Sequence, residues 1–304
     1  MVMKRWADTC LEAFCPETKI AFLFSEISDS ANLIAARLGY STLECTVLGS
    51  LFSAFSIIGL SLNRDGLDSV EVKCCSNGLI GGYFVRVNSK GEICGYIHNK
   101  IVLPKNVSQN IQDSSDLDMI FGNIGKVEVA RYTEKGTRAD VITAKDVSPM
   151  PDSIIKDCIE KYMKHEVEAI VKMRNPGMHD LSNTVVVINL GMPGRNRTFK
   201  NIVRKEGIEK IQELLSVCPS VIAFRVEFDL PLLMSGPNLT IQPGCICSEE
   251  KVKKEYEKVS DEEFKQIARL VNKNSTEELY CYKFRCHCCG ELYTIERRYS
   301  IEHP

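Results

Sequence analysis

Of the chain's 14 cysteines, six fall in its last 60 residues: Cys245, Cys247, Cys281, Cys286, Cys288 and Cys289. This crowding limits what the chain can fold into more than any other feature. Cys245-Ile246-Cys247 is a C-x-C pair and Cys286-His287-Cys288-Cys289 contains a C-x-x-C pair, with 38 residues between Cys247 and Cys286. Two close pairs brought together by a folded insert are a recurring way to build a tetrahedral four-thiolate zinc site. Structural core cysteines would want apolar neighbours, yet Cys247 is followed by Ser-Glu-Glu and Cys289 by Gly-Glu. Spacing alone leaves the ligand set open, because Cys281, His287 and Cys288 are rivals within reach. A segment of about 60 residues has a marginal core and needs a staple, which a structural metal supplies.

The other eight cysteines (Cys10, Cys15, Cys45, Cys74, Cys75, Cys94, Cys158 and Cys218) are scattered through apolar or mixed segments. There a thiol serves as a small hydrophobe. Asp8, Glu12 and Glu17 interrupt any apolar run after Lys4 and Arg5, so no export signal is expected. The expected address is the cytoplasm, where thiols stay reduced. A net charge of −2 and a pI near 6.3 give no sequence-wide electrostatic case for nucleic acid or an anionic membrane. One apolar stretch, Thr46 to Leu62, falls short of the ~20 residues of a membrane span. Ser50, Ser53, Ser56 and Ser61 interrupt it, while Leu48, Leu51, Phe52, Phe55, Ile58 and Leu62 repeat at helical spacing. Ser41 and Glu44 form a capping box ahead of it, so the segment reads as a buried core helix.

Residues 1–65 read as mainly helical, through Ile34 to Leu38 and then the core helix. From Val70 the period changes to two. Val70 to Cys74, Tyr83 to Val87 and Ile93 to Ile97 read as strands separated by the turns Ser76-Asn77-Gly78 and Asn88-Ser89-Lys90-Gly91. Gly125 to Arg131 and Asp140 to Thr143 continue this antiparallel meander. A helix is expected over Asp152 to Lys172, a buried strand at Val185 to Ile188, and an amphipathic helix over Phe199 to Cys218. That last helix carries Ile202, Val203, Ile211, Leu214 and Leu215 on one side and a mid-helix Gly207. Its apolar face needs a neighbour to cover it. The fold class that follows is α+β: an N-terminal domain of antiparallel sheet with helices over 1–190, a helical linker over 191–240, and a small zinc-binding domain over 241–304.

Pro243-Gly244-Cys245-Ile246-Cys247-Ser248-Glu249-Glu250, followed by Phe284-Arg285-Cys286-His287-Cys288-Cys289-Gly290-Glu291-Leu292-Tyr293, resembles the zinc domain of the redox-regulated 33 kDa chaperonin (heat-shock protein 33) family. Upstream, Gly78 to Gly82 and Val85 to Ile97 are similar to the family's G-P-x-G-G strand, acidic turn and R-G-Y-V strand. Leu48-Gly49 resembles the start of its L-G-E helix, and Phe121 to Gly125 its G-x-G-x-L segment. The insert of 38 residues is longer than usual and Cys288 is extra. The resemblance implies a molecular chaperone, not an enzyme, that holds unfolding client proteins without ATP. It implies zinc ligands Cys245, Cys247, Cys286 and Cys289, which become disulfides on oxidation as zinc is released. It also implies that 1–190 binds clients, that the 191–240 linker is metastable, and that the oxidised form is a homodimer.

A zinc-ribbon nucleic-acid-binding protein is the alternative. Against it, the insert is not basic: Glu249, Glu250, Glu255, Glu257, Asp261, Glu262, Glu263, Glu277 and Glu278 match its cations. A thiol oxidoreductase is disfavoured because Cys286 to Cys289 lies in no βαβ context. A catalytic zinc would want an open coordination position, not four thiolates.

Overall fold

The structure is a computed structural model. It describes residues 8–65, 69–103, 114–133, 137–172, 182–217, 221–234, 239–244, 279–286 and 290–298, with residues 250, 254, 259, 260, 262 and 263 between them. The chain forms two compact units, Met1–Gly244 and Cys245–Pro304.

The first unit opens with a strand hairpin where helix was expected: β1 (Thr9–Cys15) and β2 (Ile20–Ile27) pair antiparallel. Ile20 to Phe24 is a continuous apolar run, buried on both faces of its sheet. Such a run carries no period, so it does not separate helix from strand. The expected helices follow as α1 (Asp29–Leu38) and α2 (Thr42–Asp65). The capping box is present at the start of α2. Glu44 accepts the Ser41 N–H at 2.6 Å, and Ser41 Oγ accepts the Glu44 N–H at 3.3 Å.

The expected meander is formed by β3 (Ser69–Ser76), β4 (Gly82–Asn88) and β5 (Glu92–Ile97), then helix α3 (Ser114–Phe121), β6 (Gly125–Tyr132) and β7 (Arg138–Val147). The helix expected over 152–172 is shorter. It is α4 (Pro151–Met163), after which β8 (Glu166–Lys172) and β9 (Ser182–Asn189) pair antiparallel. Lys164 ends α4 in the left-handed region at φ 55, its N–H donating to Glu160 O. Beyond it Glu166-Val167-Glu168-Ala169 alternates between partly exposed and buried, which is a strand pattern.

The helix expected over 199–218 is broken in two, as α5 (Arg197–Val203) and α6 (Lys205–Val217), with α7 (Val221–Glu227) following. Arg204 is extended at ψ 163 and ends α5. Gly207 is thus not mid-helix but in the first turn of α6. A Cβ there would collide with the Ile202 carbonyl oxygen, so only glycine admits this tight turn. Short strands β10 (Leu233–Met234), β11 (Leu239–Thr240) and β12 (Gln242–Pro243) finish the unit.

Two sheets result. One has the order β10-β1-β2-β9-β8, with β11 also on β1, and the other the order β12-β5-β4-β3-β6-β7. Helix α2 lies between them. Its Ser53 donates to Thr184 Oγ1 on β9 at 2.8 Å, and Ser56 shares a 2.7 Å hydrogen bond with Ser25 on β2. On its other side the Phe55 ring lies 5.9 Å from that of Tyr83 on β4. Residues Thr42–Gly59 are long and apolar enough to cross a membrane, but 83% of them are buried inside the fold. Ser53 and Ser56 find partners on the first sheet and Ser50 donates to the Val47 carbonyl of its own helix, so these buried hydroxyls are satisfied.

Asp8 secures the start of α1 from 20 residues away. Its carboxylate accepts the N–H groups of Ser28, Asp29 and Ser30 at 2.7, 3.0 and 2.7 Å, whereas Ser28 makes no side-chain cap bond of its own. Removing this acceptor leaves orphan donors at the N-terminus of the helix. Asp8→Ala is therefore expected to cost about 2–3 kcal/mol in urea unfolding, with Asp8→Asn recovering part of it. A loss below ~0.5 kcal/mol, the size of an ordinary surface substitution, would refute this role.

Candidate metal centre and covered aromatic face

In the second unit, β13 (Leu279–Arg285) and β14 (Leu292–Arg298) form an antiparallel hairpin with Phe284 opposite Tyr293. Cys286 follows β13 directly. Its N–H donates to Glu291 O at 2.8 Å and its carbonyl accepts the Gly290 N–H at 2.9 Å, closing the turn. Gly290 sits at φ 69, the left-handed position that this reversal requires. Arg285 donates to Gly290 O at 3.2 Å. Cys286 is only 8% exposed, and Tyr293 and Ile295 of β14 are also buried.

Of the expected ligands, Cys286 is thus placed in a tight, shielded turn. Cys245, Cys247 and Cys289 lie outside the described residues, as do the rivals His287 and Cys288. Cys281 sits within β13, opposite Glu296. Among the described residues no group of three or more His, Cys, Asp or Glu side chains gathers as a metal site. The donor set fits a zinc ion in its chemistry: Cys286 is a buried thiol, and three more thiols close to it or to Gly244 in sequence would complete a set of four soft ligands.

The amphipathic segment finds its neighbour within the first unit. Phe199, Ile202, Ile211, Leu215 and Phe224 pack against Ile20, Phe22, Phe24, Val185 and Val187 of the first sheet. Phe24 and Phe224 meet edge to face at 5.0 Å, and Phe22 lies 5.9 Å from Phe224 and 6.0 Å from Phe24. The sequence reading missed these aromatic partners, because it took residues 1–65 as mainly helical and stopped short of α7. The signal available was the run Ile-Ala-Phe-Leu-Phe itself.

The start of this helical segment is held by a buried amide. Asn189 is fully buried. Its side chain donates to Glu166 at 2.6 Å and accepts from Gly191 N and Asn196 Nδ2. Asn196 in turn caps α5 by accepting the Phe199 N–H at 3.0 Å.

The first unit's thiols differ from such a centre. Burial pushes the Cys10 thiol up to about 11, and the Cys74 and Cys158 thiols up to about 12. They stay protonated at neutral pH and are poor nucleophiles. Well below pH 9 these three thiols are protonated in both the folded and unfolded chain, so their contribution to stability is flat there. Above pH 9 the unfolded thiols lose their protons while the folded ones keep them, so stability falls by about 1.4 kcal/mol per pH unit per thiol. In reducing buffer the urea midpoint should fall steeply between pH 9 and about 11. Cys74→Ala should flatten that slope, and an unchanged slope would contradict the burial argument.

The family model of the Hsp33 protein matches residues 8–168. The 33 kDa chaperonin of Clostridium botulinum (strain Loch Maree / Type A3) is 24% identical over 258 residues, covering 82% of this chain and 80% of that protein. The 33 kDa chaperonin of strain 657 / Type Ba4 matches to the same extent. The crystal structure of the 33 kDa chaperonin (heat shock protein 33 homologue) of Thermotoga maritima superposes with a TM-score of 0.65 at 15% identity, covering 95% of each chain. The mixed α+β fold of antiparallel sheets and helices is therefore shared with that structure. With more than half of its length matched by the family model, the chain belongs to the Hsp33 protein family.

Proposed function

We propose that this protein is an ATP-independent chaperone that holds unfolding proteins, silent when reduced with zinc bound and activated by oxidation. Family membership and the chaperonin names of its relatives support the chaperone part. The observation that carries the reading is the covered face. Among the described residues, a continuous aromatic and aliphatic surface on β2 and β9 is covered by three short helices within 191–240, with Leu230 and Leu232 beside them. Exposed apolar surface of that kind binds other apolar chains.

The switch is assigned to Cys245, Cys247, Cys286 and Cys289. A bound zinc ion would keep these thiols deprotonated and join the two ends of the module across its 38-residue insert. Structural zinc contributes an apparent ~10–16 kcal/mol to such a module, comparable to the stability of a whole domain. Peroxide would take two electrons from each close pair, giving a Cys245–Cys247 and a Cys286–Cys289 disulfide. Each closes only a small loop, worth on the order of 2 kcal/mol by the chain-entropy relation. Neither reconnects the two ends, so oxidation unfolds the module rather than locking it. Gly244 and Cys245 are adjacent in the chain, so loss of the module loosens the 191–240 cover. We place the protein in the cytoplasm and expect a homodimer when oxidised.

The test is light scattering from a heat-unfolding client in ATP-free buffer. Peroxide-treated protein should suppress the scattering and reduced protein should not. Equal scattering with both forms would sink the proposal.

A further inference from the structure

Residues 239–244 form a strap across the outer edges of both sheets. Thr240 and Leu239 pair antiparallel with Thr9 and Cys10 of β1, and the Ile241 N–H donates to Asp8 O at 2.8 Å. The strap then crosses to the second sheet. The Gln242 N–H donates to Gly91 O at 2.9 Å and the Gly244 N–H to Ile93 O at 2.6 Å, making a parallel ladder on β5. Leu239 and Ile241 are buried while Thr240 and Gln242 are exposed, so the strap alternates as an edge strand does. Pro243 falls between the two donating positions, where its missing N–H costs nothing. At φ 82, Gly91 lies against the Thr240 carbonyl, where any Cβ would collide, so the second sheet's edge is shaped to let a crossing chain approach.

Each ladder is only two residues long, and the strap carries no charge. Without it, β5 and the Thr9–Cys10 end of β1, beyond the stretch that β10 pairs, would present unpaired N–H and C=O groups, which template pairing with an extended chain. Resting on the chaperone reading above, we propose that the strap is an internal stand-in for client. Once it is displaced, the edges of β1 and β5 take an extended, uncharged client segment with apolar residues at alternate positions, by strand addition. The strap itself specifies that chemistry: two buried apolar side chains at positions i and i+2, with backbone amides making the remaining bonds.

The test uses full-length protein and a fluorescent peptide with the sequence of residues 237–244, followed by anisotropy. A second peptide is N-methylated at the amides matching Ile241, Gln242 and Gly244. Oxidised protein should bind the first peptide at least tenfold more tightly than reduced protein does, and N-methylation should remove at least tenfold of that affinity. The Ile241→Asp variant should bind the peptide in the reduced state. If it does not fold, Gln242→Pro, which removes one strap hydrogen bond, takes its place. Equal binding of the N-methylated peptide would overturn strand addition. So would an oxidised protein that protects clients but binds no peptide. If oxidised protein protects nothing, the chaperone reading fails instead, and the reduced variant still decides whether the edges take a strand. A doubled mass that blocks the peptide would assign the edges to a second copy and overturn the client assignment.

Discussion

Cys286→Ser is expected to abolish zinc binding by the reduced protein and to leave it protecting clients without any oxidant. The expected stoichiometry falls from about one zinc per chain to none, since a four-thiolate site that loses one ligand also loses its closed tetrahedral shell. The energetic consequence is large. The module forfeits an apparent ~10–16 kcal/mol, and a 60-residue unit with a small core has little in reserve. Backbone amides of β13 and β14 should then exchange as in an unfolded chain, including the Cys286 N–H that now bonds Glu291 O. Cys281→Ser and Cys288→Ser separate the rival ligands, because both should keep one zinc. A Cys286→Ser protein that retains stoichiometric zinc would remove Cys286 from the ligand set.

The second large effect distinguishes the covered face from its cover. Phe22 belongs to the sheet and Phe224 to the helices over it, and both are fully buried. Either change to alanine deletes a packed aromatic, so each should cost about 3–5 kcal/mol in equilibrium unfolding. Their effects on clients should be opposite. Phe224→Ala loosens the cover and leaves the sheet intact, so the reduced protein should gain holdase activity. Phe22→Ala removes part of the proposed binding surface, so the oxidised protein should hold clients more weakly. Val226, 76% exposed on the same helix as Phe224, is the control, and Val226→Ala should change neither quantity. Equal and same-sign effects of Phe22→Ala and Phe224→Ala on client holding would contradict the division between face and cover.

Where the sequence was legible, a local rule and the tertiary fold agreed. Alternation marked β3, β-branched and aromatic residues marked β4, the turns between marked β5, and the Ser41/Glu44 reciprocity marked the start of α2. The serines of α2 were recognisable as residues of a buried core helix, but not their partners, since Ser25 and Thr184 are distant in sequence. The failures share one cause, which is structure imposed by packing rather than by propensity. β2 is buried on both faces and so has no period. α4 stops at Lys164, a non-glycine in a left-handed cap that composition does not announce. The split between α5 and α6 turns on Gly207 lying against the Ile202 carbonyl, a contact visible only in three dimensions. Of the proposed site, the cysteine spacing was legible at once. The aromatic face beneath α5–α7 was not, because it joins residues about 200 positions apart, Phe24 with Phe224.

The most direct test of the central claim follows zinc release and client protection in one sample during a peroxide titration. A chromogenic chelator reports the zinc and light scattering from a heat-unfolding client reports protection. If the four cysteines are the switch, the two curves coincide, rising together from none to about one zinc per chain and full protection. Protection that appears while zinc stays bound, or zinc loss with no protection, would contradict it.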